Sequence, residues 1–101
     1  MPVDLGFIRG HRLDVYTATW CPDCAQLARW LAANEVAHEK VDIDRDAGAA
    51  EKIERETGKR AVPFILVDGA TWVRGYHRER PTRFDPALLV SELRHAVAPP
   101  R

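Results

Sequence analysis

Apolar and polar positions alternate from Arg12 to Thr17 (RLDVYT), and the stretch is rich in β-formers, so it predicts a first strand. The period then changes. Leu27, Ala28 and Leu31 follow helical spacing, and Pro22 stands where a first helical residue loses nothing by lacking an N–H. A helix from Pro22 to about Asn34 follows. His38 to Ile43 (HEKVDI) alternates again and predicts a second strand. Strand, helix and strand within about 30 residues make a parallel βαβ unit.

In the second half, Asp46 is placed to cap a helix running to Thr57, with Ala50 and Ile53 as its inner face and Gly58 as its end. Pro63 to Val67 (PFILV) is a continuous apolar run, the pattern of a central strand. Asp68-Gly69 is the strongest hairpin signal in the chain, so Ala70 to Arg74 (ATWVR) returns antiparallel. Gly75 to Phe84 reads as a basic loop. Asp85-Pro86 opens a last helix with Leu89, Leu93, Ala96 and Val97 on one face, stopped by Pro99-Pro100. The order is β-α-β-α-β-β-α: an α/β fold, with a four-stranded mixed sheet and helices on both faces. Residues 1–101 form one domain, and residues 1–11 are a short extension or extra edge piece.

Composition narrows the function. With 101 residues, 46% of them apolar, one modest core is available. Fifteen basic residues balance fifteen acidic ones, which argues against a global field for nucleic acid. No run of about 18 apolar residues predicts a membrane helix. Met1 to Arg12 holds Asp4, Gly6 and Gly10 and lacks an apolar secretion segment, so the cytoplasm is the expected location.

The two cysteines carry the chemistry. Trp20-Cys21-Pro22-Asp23-Cys24 falls where the first strand ends and the first helix begins. The thiolate is the reactive form of cysteine, and a helix N-terminus offers it free N–H groups and a positive dipole end. Cys21 is therefore the expected nucleophile, exposed at the N-cap. Cys24, one turn deeper, is the expected resolving thiol. Asp23 also suits the helix start, but its charge opposes a thiolate on Cys21 and moderates this activation. Zinc would need four ligands, and His11, His38, His77 and His95 show no ligand spacing, so no metal is expected. Trp20, beside Cys21, is the aromatic residue expected to shape the substrate surface. Phe64 and Trp72 read as core or sheet surface, and Trp30 lies off the apolar face of its helix.

Several features coincide: Tyr16-Thr17 before the Trp20–Cys24 motif, Ala61-Val62-Pro63 opening the third strand, and Gly75-Tyr76 after the fourth. Together, from about Leu13 to Val97, they resemble the glutaredoxins of the thioredoxin superfamily. The Thr-Trp-Cys lead-in is similar to mycoredoxins. Trp72 to Tyr76 is similar to the redoxins that reduce ribonucleotide reductase. The resemblance implies a thioredoxin fold and a dithiol disulfide reductase. It matches Pro63 to the family's cis-proline and Val62 to the residue whose backbone pairs with a thiol ligand. It matches Arg60 to a basic position that contacts a ligand carboxylate, and Gly75 and Tyr76 to the rest of that groove. A plain strand-start proline at Pro63 and a solvated Lys59-Arg60 loop tip are the bland counterparts.

The resemblance further implies no bound cofactor, disulfide-containing protein substrates and a monomer. A low-molecular-weight thiol or an NADPH-dependent flavoprotein reductase would supply electrons, at a potential of roughly −200 to −230 mV. Departures from the family's pattern concern the ligand. Ala18 stands where a lysine is common, Ala61 where a threonine is usual, and Arg74-Gly75-Tyr76-His77-Arg78-Glu79-Arg80 replaces an acidic pair that grips glutathione. A redox-sensing regulator and an iron–sulfur-binding glutaredoxin are the alternatives. The first kind is longer, with an extra helical region, and Pro22 speaks against the second. If the basic loop meets an anionic thiol or an acidic partner, Arg78→Ala raises the KM for the physiological reductant in a turnover assay, while an unchanged KM with every donor removes that role.

Overall fold

The computed structural model describes residues 5–75 and 84–97. The elements in order are β1 (Leu13–Thr17), α1 (Pro22–Ala33), β2 (Glu39–Asp42), α2 (Ala49–Thr57), β3 (Phe64–Val67), β4 (Thr71–Val73) and α3 (Pro86–Val97), after a 3-10 turn at Gly6–Ile8. The sheet runs β2-β1-β3-β4. β1 pairs parallel with β2 and antiparallel with β3, and β3 pairs antiparallel with β4. The predicted architecture is therefore the observed one.

The strand alternation divides the core between two faces. Leu13 and Val15 of β1 and Ile65 and Val67 of β3 meet Leu27 and Leu31 of α1 and Leu89 and Leu93 of α3. Tyr16 of β1 and Phe64 and Leu66 of β3 meet Ala49 and Ile53 of α2 on the other side. β3 is apolar without interruption because both its faces are covered. β2 is an edge strand, exposed or half-buried throughout, and keeps its polar alternation. Trp72 packs on the second face at a tilt of 59° to Tyr16, at 5.0 Å between centroids, and meets Phe64 edge-on at 5.8 Å. Trp30, off the apolar stripe of its helix, packs edge-on against Phe84 at 6.5 Å.

Turn and cap chemistry explains most boundaries. Asp68 and Gly69 both have positive φ, at 54° and 69°, the requirement of a primed hairpin turn. Asp85 caps α3 by accepting from the N–H groups of Ala87 and Leu88, with Pro86 as the first helical residue. Gly58 ends α2 in the left-handed region.

Four expectations are corrected. Asp46 does not cap α2. It belongs to a separate turn, donating its N–H to the Asp42 carbonyl, and the helix starts after Gly48 at φ 86°. The buried face of α2 is consequently Ala49 and Ile53, four residues apart, with Ala50 half-buried. On α1 the buried set is Cys24, Leu27 and Leu31, and Ala28 faces solvent. In its described residues, 5–11, the N-terminal segment adds no strand to the sheet. Its 3-10 turn buries Ile8 in the α1–α3 core, Arg94 lies over the Phe7 ring at 4.4 Å, and Asp68 binds His11 Nδ1 and the Arg12 N–H. Tyr76, Arg78, most of the basic loop and Pro99-Pro100 lie outside the described residues.

Gly75 is the glycine under the tightest constraint. Its φ is 62°, and a Cβ there would come within 2.6 Å of Leu89 Cβ on α3. Gly69 also has positive φ but faces open space. Gly75→Ala is thus expected to lower unfolding free energy by about 2–3 kcal/mol. Gly69→Ala costs about 1 kcal/mol. Urea midpoints of the two variants check the order.

Candidate active site

The end of β1 delivers the cysteines. After Thr17 the chain turns, with the Cys21 N–H on the Ala18 carbonyl at 3.4 Å, and α1 begins at Pro22. Cys21 is the N-cap residue, with extended backbone, and its sulfur does what a serine or aspartate oxygen usually does there. Cys21 Sγ accepts the Cys24 N–H at 3.2 Å. The first turn of α1 is therefore anchored on the reactive atom. Both cysteines are free thiols.

Burial differs from the sequence expectation at one point. Cys24 is the deeper of the two, at 3% exposure, but Cys21 is itself buried at 8%. The turn over residues 18–21 tucks the sulfur against the β3 side, where it contacts the Val62 carbonyl at 3.9 Å. The same turn throws Trp20 outward, at 65% exposure. Burial pushes the Cys24 thiol up to about 11, and its hydrogen bond with Cys21 adds to the shift; contacts with Thr17 and the Ala18 backbone act the other way. Cys24 therefore stays protonated in the resting protein near neutrality.

The Val62–Pro63 bond is cis, and both residues are buried beside the cysteines. Asp23 sits half-buried in the first turn of α1. A groove of about 330 Å³ is lined by Trp20, Ile43, Asp44, Ala50, Ile53, Arg60, Ala61 and Val62, while both cysteines line a smaller pocket of about 170 Å³ with Thr17, Thr19, His38 and Lys40. The Trp20 indole N–H donates to Asp44 at 2.8 Å, which fixes the ring at the rim. Arg60 reaches the opposite rim and pairs with Glu51 at 3.7 Å and Glu54 at 3.3 Å. Such exposed pairs are worth about 0–1 kcal/mol, so a ligand carboxylate can exchange for them. Gly75 is not among the groove residues. Its N–H donates to Glu92 and its carbonyl accepts from the Asp85 N–H, which ties it to α3. Tyr76 is outside the described residues. Among the described residues no group of three or more His, Cys, Asp or Glu is placed to hold a metal ion. No described helix is long and apolar enough to cross a membrane.

Two participants are not legible in the sequence. Asp44 reads as one acid among several in a turn (Asp42-Ile43-Asp44), and its partner is 24 residues away. Arg74 reads as the head of the basic stretch, yet it folds back onto the start of β3. Its Nε donates to the Pro63 carbonyl at 2.9 Å and its Nη2 to the Val62 carbonyl at 3.2 Å.

Because the Cys24 value is raised from 9.0 to about 11, the folded state holds its proton where the unfolded chain has lost it. This stabilising contribution is present below the unfolded value and fades as pH rises through the folded one. Reduced protein is expected to lose stability as pH climbs from 9 toward 11, and Cys24→Ala to lose this part of the slope. Urea midpoints across that range test it. Peptide mapping after brief alkylation near pH 8 should show label on Cys21 alone.

A family model described as glutaredoxin matches residues 13–72. A Mycobacterium tuberculosis H37Rv protein described as a glutaredoxin is 39% identical over 61 residues, covering 58% of this chain and 73% of its own. The glutaredoxin-like protein NrdH of Lactococcus lactis IL1403 is 35% identical over 54 residues, covering 54% of this chain and 74% of its own. Among solved structures, a mutant of the thioredoxin-like protein BC3987 superposes with a TM-score of 0.62 at 26% identity. That match covers 80% of this chain and 92% of the other. The matched span takes in both cysteines, the Val62–Pro63 turn and the sheet that joins them, and by it the chain belongs to the glutaredoxin family, as a thiol–disulfide oxidoreductase.

Proposed function

We propose that the chain reduces protein or mixed disulfides by a two-cysteine cycle in which Cys21 attacks and Cys24 resolves. The observation that carries this reading is the hydrogen bond from the Cys24 N–H to Cys21 Sγ at 3.2 Å. A sulfur used as an N-cap acceptor is stabilised as thiolate by the helix terminus, and the second thiol waits one turn away.

In the first step the Cys21 thiolate attacks one sulfur of the substrate disulfide. The substrate S–S bond breaks, a Cys21–substrate disulfide forms, and a substrate thiolate leaves. That thiolate is a suitable acceptor for the Cys24 proton, which Cys24 must lose to react. Cys24 then attacks Cys21 Sγ, the second substrate thiolate leaves, and the enzyme carries a Cys21–Cys24 disulfide. Two electrons and two protons from a small thiol pair or a flavoprotein reductase reset it. The groove between Trp20 and Arg60 is the entry for the group attached to the attacked sulfur. Arg60 suits a carboxylate there. The working species is a monomer without a bound cofactor.

Cys24→Ser is expected to accumulate a mixed disulfide on Cys21, visible by mass spectrometry, and Cys21→Ser to lose turnover by at least about a thousandfold. A fully active Cys21→Ser would remove the assignment of roles. Re-reduction of the oxidised protein by glutathione, by other small thiols, and by thioredoxin reductase with NADPH identifies the electron donor.

A further inference from the structure

Arg74 leaves the end of β4 and crosses the Phe64 ring, its guanidinium carbon 4.5 Å from the ring centroid. Beyond the ring it donates to two consecutive carbonyls, those of Val62 and Pro63. The backbone behind it is anchored, since the next residue, Gly75, donates its N–H to Glu92 of α3 and accepts the Asp85 N–H at the start of that helix. The Val62 carbonyl therefore faces two partners. One is the Arg74 guanidinium at 3.2 Å, and the other is Cys21 Sγ at 3.9 Å.

This arrangement has an electrostatic consequence. A bare carbonyl oxygen accepts weakly from a thiol and repels a thiolate, so alone it favours the protonated sulfur. A guanidinium hydrogen-bonded to that oxygen offsets its partial charge and brings a permanent cation one carbonyl away from the sulfur. Among the described residues, the other charged or titratable groups near the site are Asp23 in the first turn of α1, Asp44 bonded to Trp20, Arg60 paired with Glu51 and Glu54, and His38 and Lys40, which line the pocket that holds both cysteines. Cys24 supplies an N–H to the sulfur and, as a thiol, no charge.

We propose that Arg74 is a positioning residue for Cys21: through the shared Val62 carbonyl it favours the Cys21 thiolate and holds the Val62–Pro63 turn against the sulfur. The proposal rests on Cys21 being the nucleophile. It gives part of the basic stretch a function inside the site, independent of any ligand.

The test compares wild type with Arg74→Met, which keeps a side chain able to lie over Phe64, and with Arg74→Lys, which restores the charge but not the two-pronged geometry. The readouts are the rate of Cys21 alkylation by neutral iodoacetamide, measured where that rate still rises with pH, and the ultraviolet absorbance of the thiolate. In Arg74→Met the alkylation rate is expected to fall about fivefold, with a matching loss of thiolate absorbance. Arg74→Lys recovers more than half of the loss. Turnover with a small disulfide should show the fall in kcat/KM, while circular dichroism and urea midpoints report whether either variant is misfolded. Wild-type alkylation and absorbance in Arg74→Met overturn the proposal, as does a loss in Arg74→Met that Arg74→Lys does not repair. Cys21→Ser run in parallel keeps the two ideas apart: label found on Cys24 in the wild type would refute the nucleophile assignment, whereas an Arg74-insensitive Cys21 refutes only the role of Arg74.

Discussion

The antiparallel pairing of β1 with β3 sets everything around the thiols. Its register runs from Leu13 opposite Val67 to Tyr16 opposite Phe64. The exit of β1 therefore lies beside the entrance of β3, and the turn leaving one strand meets the turn entering the other. Cys21 comes four residues after Thr17, and Val62 two residues before Phe64. A slip of one residue in this register would turn the apolar sets of both strands onto the wrong faces. Core packing thus enforces the same alignment that brings a sulfur to a carbonyl.

Strand and helix order is legible because local pattern and tertiary need agree. RLDVYT alternates since Leu13 and Val15 enter the core under α1 and α3 while Asp14, on the opposite face, pairs with Arg12, and PFILV is unbroken since β3 is buried on both sides. The Asp68-Gly69 turn and the Asp85-Pro86 helix start are visible for the same reason, because their chemistry is contained in two adjacent residues. The start of α2 is not. Asp46 has the right side chain for a cap, but its backbone is engaged in the turn from Asp42, and nothing local announces that competition.

At the site the division is similar. Cys21, Pro22 and Cys24 declare themselves through spacing and through their place at a strand-to-helix junction. The burial of Cys21 does not, since it depends on a turn packing against a segment some 40 residues distant. Arg74 is hidden for another reason. It stands at the head of a basic run, and charge in a loop reads as solvated surface unless the fold reveals which carbonyls it reaches. Gly75 illustrates the reverse case: its described contacts belong to helix packing.

The two-sided core separates tasks along the molecule. The thiols sit in the cluster under α2, with Tyr16, Phe64 and Ile53, while the larger aliphatic cluster lies beneath α1 and α3 and holds the 3-10 turn. Among the described residues, the sheet and α1 contribute to both, α1 through Cys24 on one side and Leu27 and Leu31 on the other. Changes in leucine and valine size on the α1–α3 side act first on stability, and they reach the sulfur through α1 and through the Glu92–Gly75 link behind Arg74. The face that carries the chemistry packs both cysteines with Tyr16, Val62 and Phe64 in one cluster, so a change of side-chain size there acts on stability and on the sulfur together.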